Sequence, residues 1–127
     1  MIHRLLRSDG GTTALEFSVL APVLCLFLIG IVDCGYALYT KQALYHGAQF
    51  AARCGALQTT SCSTVNQIKA VAVANSLGTS PPSSTFSVSD ATCGKLVTAS
   101  YDYRPFAMIT STFTVTMTAR GCYLNFK

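Results

Sequence analysis

One carboxylate, Glu16, stands near the start of an apolar run from Ala14 to Val32 that is interrupted otherwise only by Ser18, directly after Gly10-Gly11-Thr12-Thr13. An acidic side chain in mid-membrane costs about 2.5 to 3.5 kcal/mol on insertion scales, and less near the edge of a span, so Glu16 needs a partner. A cut after Gly11 would make Thr12 the new N-terminus and place its α-amine one helical turn from Glu16, on the same face. An amine and a carboxylate about 4 Å apart attract by roughly 4 kcal/mol at an effective dielectric near 20, enough to offset much of the burial cost within one chain or between neighbours. Without such a cut, Glu16 would snorkel to the headgroups.

The cysteines form a second group. Cys25 and Cys34 lie in or at the edge of the apolar run, whereas Cys54, Cys62, Cys93 and Cys122 punctuate the polar remainder. With no paired C-x-x-C spacing for zinc, the latter four fit disulfides in an oxidising compartment better than metal ligation; buried free thiols are the other reading. Cys25 and Cys34 read as apolar fillers, although Cys34, near the outer surface, could join two chains. His3 and His46 each stand alone, without the partners that metal binding or catalysis needs. No G-x-S-x-G elbow, phosphate loop or clustered acid pair occurs, so the chain carries no recognisable active site, metal site or cofactor site. The expectation is a protein that is not an enzyme and uses no cofactor.

The elements that must position these residues follow from composition and periodicity. Half of the 127 residues are hydrophobic and only 11% are charged, against roughly 25% in ordinary soluble domains, so part of the chain does not face water. The net charge of +4 comes from nine scattered Lys and Arg, with no run that would track a nucleic acid. Ala14 to Val32 spans about 28 Å as a helix, one bilayer crossing. Arg4 and Arg7 before it place the N-terminus in the cytoplasm and the rest across the membrane. The expected organisation is a leader over 1–11, a transmembrane helix over 12–35 and an extracytoplasmic domain over 36–127.

The helical pattern continues past Asp33, with Pro22 expected to bend the helix and Tyr36 and Tyr39 where an interfacial aromatic belt belongs. Ala43, Gly47, Ala51 and Gly55 recur every four residues, flanked by Ala48, Ala52 and Ala56, which leaves one side nearly bare for close packing, by preference against the sheet of the same chain. Thr64 and Gln67 form a capping box for a second helix with an apolar stripe of Val65, Ile68, Val71 and Ala72, stopping near Gly78. Three alternating stretches follow, Phe86 and Val88, Val97 to Tyr103, and Phe113 to Ala119, joined as an antiparallel meander. That order brings Cys122 to Cys93 and leaves Cys54 and Cys62 to staple the corner between the helices. The fold class is α+β: a long N-terminal transmembrane helix continuing into a small domain with a second helix and a three-stranded antiparallel sheet.

Gly11, Glu16 and Phe17 are in register with prepilin-type leaders, which are cut after a glycine and carry glutamate and an aromatic as the fifth and sixth mature residues. Ala14-Leu15-Glu16-Phe17, Ala21-Pro22-Val23-Leu24, Gly30-Ile31-Val32-Asp33, Gly35-Tyr36-Ala37-Leu38-Tyr39, Gln42-Ala43-Leu44 and Ala51-Ala52-Arg53 together resemble TadE-like minor pseudopilins of the tight-adherence (Flp) pilus system. The resemblance is strong over Gly11 to Ala56. It is looser downstream, where Tyr103-Arg104-Pro105-Phe106 and a last strand of alternating Thr also fit. It implies a pilin-like fold, cleavage between Gly11 and Thr12 by a prepilin peptidase, and helix docking through Glu16 and Phe17. The implied partners are other pilin and pseudopilin subunits, an inner-membrane assembly platform and membrane lipid, with no nucleic acid. The implied location is the bacterial inner membrane, with the domain in the periplasm or carried into an extracellular pilus. The alternative from the residues alone is a membrane-tethered envelope binding module, in which the apolar run is an uncleaved signal anchor.

Overall fold

The computed structural model describes residues 10–106 and 113–125, with side chains from Thr13 onward. Helix α1 runs from Gly10 to Leu57 without interruption. At 1.5 Å per residue it is about 72 Å long, more than twice the thickness of a bilayer's hydrocarbon core. Pro22 lies inside it and does not end it. The chain then turns through a short 3₁₀ segment, Thr60–Cys62, into α2, Val65–Ala74.

Helix α2 starts where the capping box requires. Thr64 Oγ1 accepts from the Gln67 amide at 3.4 Å, and Gln67 Oε1 accepts from the Thr64 amide at 3.1 Å, so two otherwise orphaned donors are satisfied reciprocally. Ile68 and Ala72 are buried and Val71 half-buried, but Val65 is 51% exposed and lies outside the apolar stripe assigned to it. The reason is positional: Val65 is the first helical residue, at the outer corner of the turn. The helix also stops before Gly78. Asn75 caps it, its amide and its side-chain Nδ2 both donating to the Val71 carbonyl, at 3.1 and 2.9 Å. The chain then passes through positive φ at Leu77 and Gly78.

The sheet is a three-stranded antiparallel meander in the order β1-β2-β3, with β1 Phe86–Ala91, β2 Gly94–Tyr103 and β3 Val115–Tyr123. The alternation of Val97, Ala99, Tyr101 and Tyr103 against Thr98, Ser100 and Asp102 sets the inner face, with Val97 and Ala99 fully buried. Strand β3 begins at Val115, so Phe113, read from the sequence as its first residue, lies before it and is exposed.

The sheet and α2 pack on the upper part of α1, and the small-residue stripe is what lets them approach. Ala48, Ala51 and Ala52 are fully buried in one cluster with Phe86, Val97, Ala99 and Ala119, and Ala43 is fully buried too. A Cβ on Gly47 would lie 2.5 Å from the Ala72 carbonyl oxygen of α2, and one on Gly121 would lie 2.5 Å from the Ala48 carbonyl of α1. These two glycines therefore set the distance of α2 and β3 from the long helix. Phe86, Leu44 and Val97 are the large side chains removed from water, each worth roughly 1.5 to 3 kcal/mol. Two disulfides close the domain: Cys54 to Cys62, with Cα atoms 5.7 Å apart, and Cys93 to Cys122, at 6.3 Å.

Candidate functional site: the uncovered half of the long helix and its junction with the domain

The domain covers only the upper half of α1. From Thr13 to Val32 no residue is buried, and the most apolar window of the helix contains no buried residue. Phe17 is 71% exposed, and Leu15, Leu20, Leu24, Phe27 and Ile31 are exposed as well. Apolar surface costs about 25 cal/mol per Å² in water, so a segment this long requires another solvent, either lipid or other apolar helices. The helix is long and apolar enough to cross a membrane once.

Its polar groups are few. The Ser18 hydroxyl donates to the Leu15 carbonyl at 2.7 Å, which satisfies it within the helix. Glu16 lies between the exposed Leu15 and Phe17 and is itself exposed. Residues 1–9 of the expected leader lie outside the described residues. The expected cut between Gly11 and Thr12 falls in the first turn of α1, where only the backbone is described. Thr12 and Glu16 are four residues apart in a continuous helix and share a face. Cys25 and Cys34 are free thiols, both exposed.

The small-residue stripe is occupied within the chain and is not open to a neighbour. The exposed apolar surface of α1 is concentrated below Asp33, although Leu38, Tyr45 and Phe50 are exposed above it as well. His46, exposed on α1, has a structural partner: its Nδ1–H donates to the Asn75 carbonyl at 3.1 Å, and its ring lies 5.0 Å from that of Phe50. It ties α1 to the end of α2. Among the described residues no cluster of three or more His, Cys, Asp or Glu is placed to hold a metal.

Sequence reasoning missed the junction. Asp33, which marks the end of the apolar run, accepts a hydrogen bond at 3.0 Å on Oδ1 from the backbone amide of Phe106, and its own carbonyl accepts one at 3.4 Å from the Tyr103 hydroxyl. The Tyr36 and Tyr103 rings stand 6.0 Å apart, within the range of favourable aromatic pairs. Burial, and after it the Asp33 carboxylate, raise the Tyr103 phenol above its ordinary pKa. Higher up, the Tyr39 hydroxyl donates to the Leu77 carbonyl and holds the turn after α2 against the helix. Asp33 is thus a clamp that fixes the membrane end of β2 to α1. The sequence shows an aspartate at the end of the span and the Tyr103-Arg104-Pro105-Phe106 stretch, but nothing local that joins them.

Residues 11–53 match the family model described as TadE-like protein. The match begins at Gly11, takes in the uncovered half of α1, Asp33 and most of the small-residue stripe, and ends one residue short of the first bonded cysteine. The chain has no match among curated proteins and none among solved structures.

Proposed function

From the TadE-like match over residues 11–53, we propose that this chain is a minor pseudopilin, a structural subunit or assembly primer of a Tad/Flp-type pilus. A prepilin peptidase cuts it after Gly11, the bilayer stores its helix with the N-terminus cytoplasmic and the domain periplasmic, and neighbouring pilin helices later replace the lipid. The observation that carries this reading is the uncovered half of α1, an apolar surface whose carboxylate sits at the fifth position after Gly11. Once Gly11 is removed, the α-amine of Thr12 and the Glu16 carboxylate form a docking pair at the leading end of the helix. The pair attracts by roughly 4 kcal/mol when about 4 Å apart at intermediate dielectric, and it does so equally well between one subunit and the next. With the stripe from Ala43 to Gly55 packed inside the chain, this segment supplies the long apolar surface that the helix keeps exposed.

In this scheme the domain is a rigid head and performs no chemistry. The test is Glu16→Ala in cells carrying the pilus machinery. The variant enters the membrane like the wild type but is absent from sheared pili, or leaves the cells without pili where the subunit acts as a primer. Unaltered pilus formation with Glu16→Ala would remove the docking role.

A further inference from the structure

The membrane end of the sheet carries exposed aromatic surface that neither the core nor the helix uses. Phe106 is 69% exposed although its backbone amide is hydrogen-bonded at 3.0 Å to Asp33, the residue that ends the apolar run. A bilayer's polar layer is roughly 5 to 8 Å deep on each side of the hydrocarbon core, so a group one hydrogen bond from Asp33 lies within that layer. Phe113 is exposed too, and it sits two residues before Val115, which pairs with Tyr103 at the same end of the sheet. Arg104, also exposed, is the cation beside them. Tyr36, 56% exposed on the helix, stands at the same level, its ring 6.0 Å from that of Tyr103. Phenylalanine side chains with an adjacent arginine at the depth of the headgroups have the composition of segments that lie in a lipid interface, and Tyr36 adds an amphipathic ring.

We propose that this end of the sheet is a second membrane-contact site, with Phe106 and Phe113 seated in the headgroup layer of the leaflet nearest the domain and Arg104 against lipid phosphates. The proposal rests on α1 crossing the bilayer. The domain then meets the membrane at two points, the helix and the sheet end, and the Asp33 clamp holds the two at a fixed height and rotation. Extraction of the helix into a pilus requires release of both.

The chain contains no tryptophan, so a single introduced one reports its own surroundings. Phe106→Trp and Ala91→Trp are compared in the full chain reconstituted into phosphatidylethanolamine and phosphatidylglycerol vesicles whose acyl chains are brominated near the headgroup. Ala91 is exposed and pairs with Gly94 at the far end of β2, roughly 30 Å along the strand from Tyr103, and the neighbouring Lys95 packs near Gly55 at the top of α1. The expected result is loss of about half the Phe106→Trp emission and under about a tenth of the Ala91→Trp emission. Adding Arg104→Glu to Phe106→Trp reduces that quenching in the anionic vesicles. Equal quenching of the two tryptophans in carbonate-resistant, integrated protein would overturn the contact while leaving the anchor intact. Extraction of both variants by carbonate would overturn the anchor and the contact together.

Discussion

Gly121→Ala tests how the sheet is held to the long helix. A Cβ at this position would stand 2.5 Å from both the carbonyl carbon and the carbonyl oxygen of Ala48 and 2.6 Å from the Gln49 nitrogen, all of them backbone atoms of α1. Ordinary contact needs roughly 3.5 Å, so β3 must move about 1 Å away from the helix, and the buried faces of Ala48, Ala51 and Ala119 lose close contact with it. Overpacking of this kind costs about 1 to 3 kcal/mol. Unless the native backbone is incompatible, replacing glycine by alanine gains about 0.4 to 1 kcal/mol through the unfolded state, so the sign itself is diagnostic. Gly35→Ala is the control: Gly35 lies on the exposed side of α1 with no atom within 4 Å of a Cβ, and helix propensity favours alanine there by about 1 kcal/mol. Thermal unfolding of the full chain in detergent micelles, followed by circular dichroism, should show Gly121→Ala lowered by about 4 to 8 °C for each kcal/mol lost, with Gly35→Ala unchanged or raised. A Gly121→Ala protein as stable as the wild type would refute close backbone approach as the basis of the packing.

Three further outcomes follow from the same structure. Thr64→Ala removes the hydroxyl of the capping box and should cost about 1 kcal/mol, read as a shift in the urea midpoint with an unchanged slope. Cys62→Ser opens the bridge to Cys54 and should cost about 2 to 4 kcal/mol, and non-reducing peptide mapping of the wild type should recover the pairs 54–62 and 93–122; a 54–93 peptide would contradict the topology. The Tyr103 phenol is raised in the folded state, by burial first and by the Asp33 carboxylate second, so the native chain holds this proton to higher pH than the unfolded chain does. Its contribution is therefore complete below the ordinary tyrosine value near 10 and declines as pH rises from there through the folded pKa. Tyr103→Phe should flatten that alkaline decline in unfolding midpoints while leaving the midpoint's pH dependence around neutrality unchanged.

How much of this was legible in the sequence depended on the range of the interaction. The capping box at Thr64 and Gln67, the alternation along Val97 to Tyr103, and the small-residue spacing from Ala43 to Gly55 are local patterns. They carried the helix start, the sheet and the face on which the sheet packs. Val65 and Phe113 were misplaced because apolar character does not say which residue of a stretch stands at a corner; each is at an element's end, where packing fades. The end of α2 came early because the Asn75 side chain offers the backbone a hydrogen bond that competes with helix, ahead of the glycine that marks the turn. The Asp33 clamp joins residues about 70 positions apart and arises only once the meander folds back on α1, so no spacing rule points to it. The uncovered half of α1 was legible as an apolar run, but composition alone does not separate lipid from neighbouring helices as its eventual solvent.

The central claim is that α1 is an assembly element released by cleavage, and the mature N-terminus is its most direct test. Intact-mass and N-terminal peptide analysis of the protein from cells with an active prepilin peptidase should give a chain beginning at Thr12, and a peptidase-deficient strain should give the uncut form. A chain that keeps Met1 or Ile2 in cells with the active peptidase would contradict the account and leave α1 as an ordinary membrane anchor.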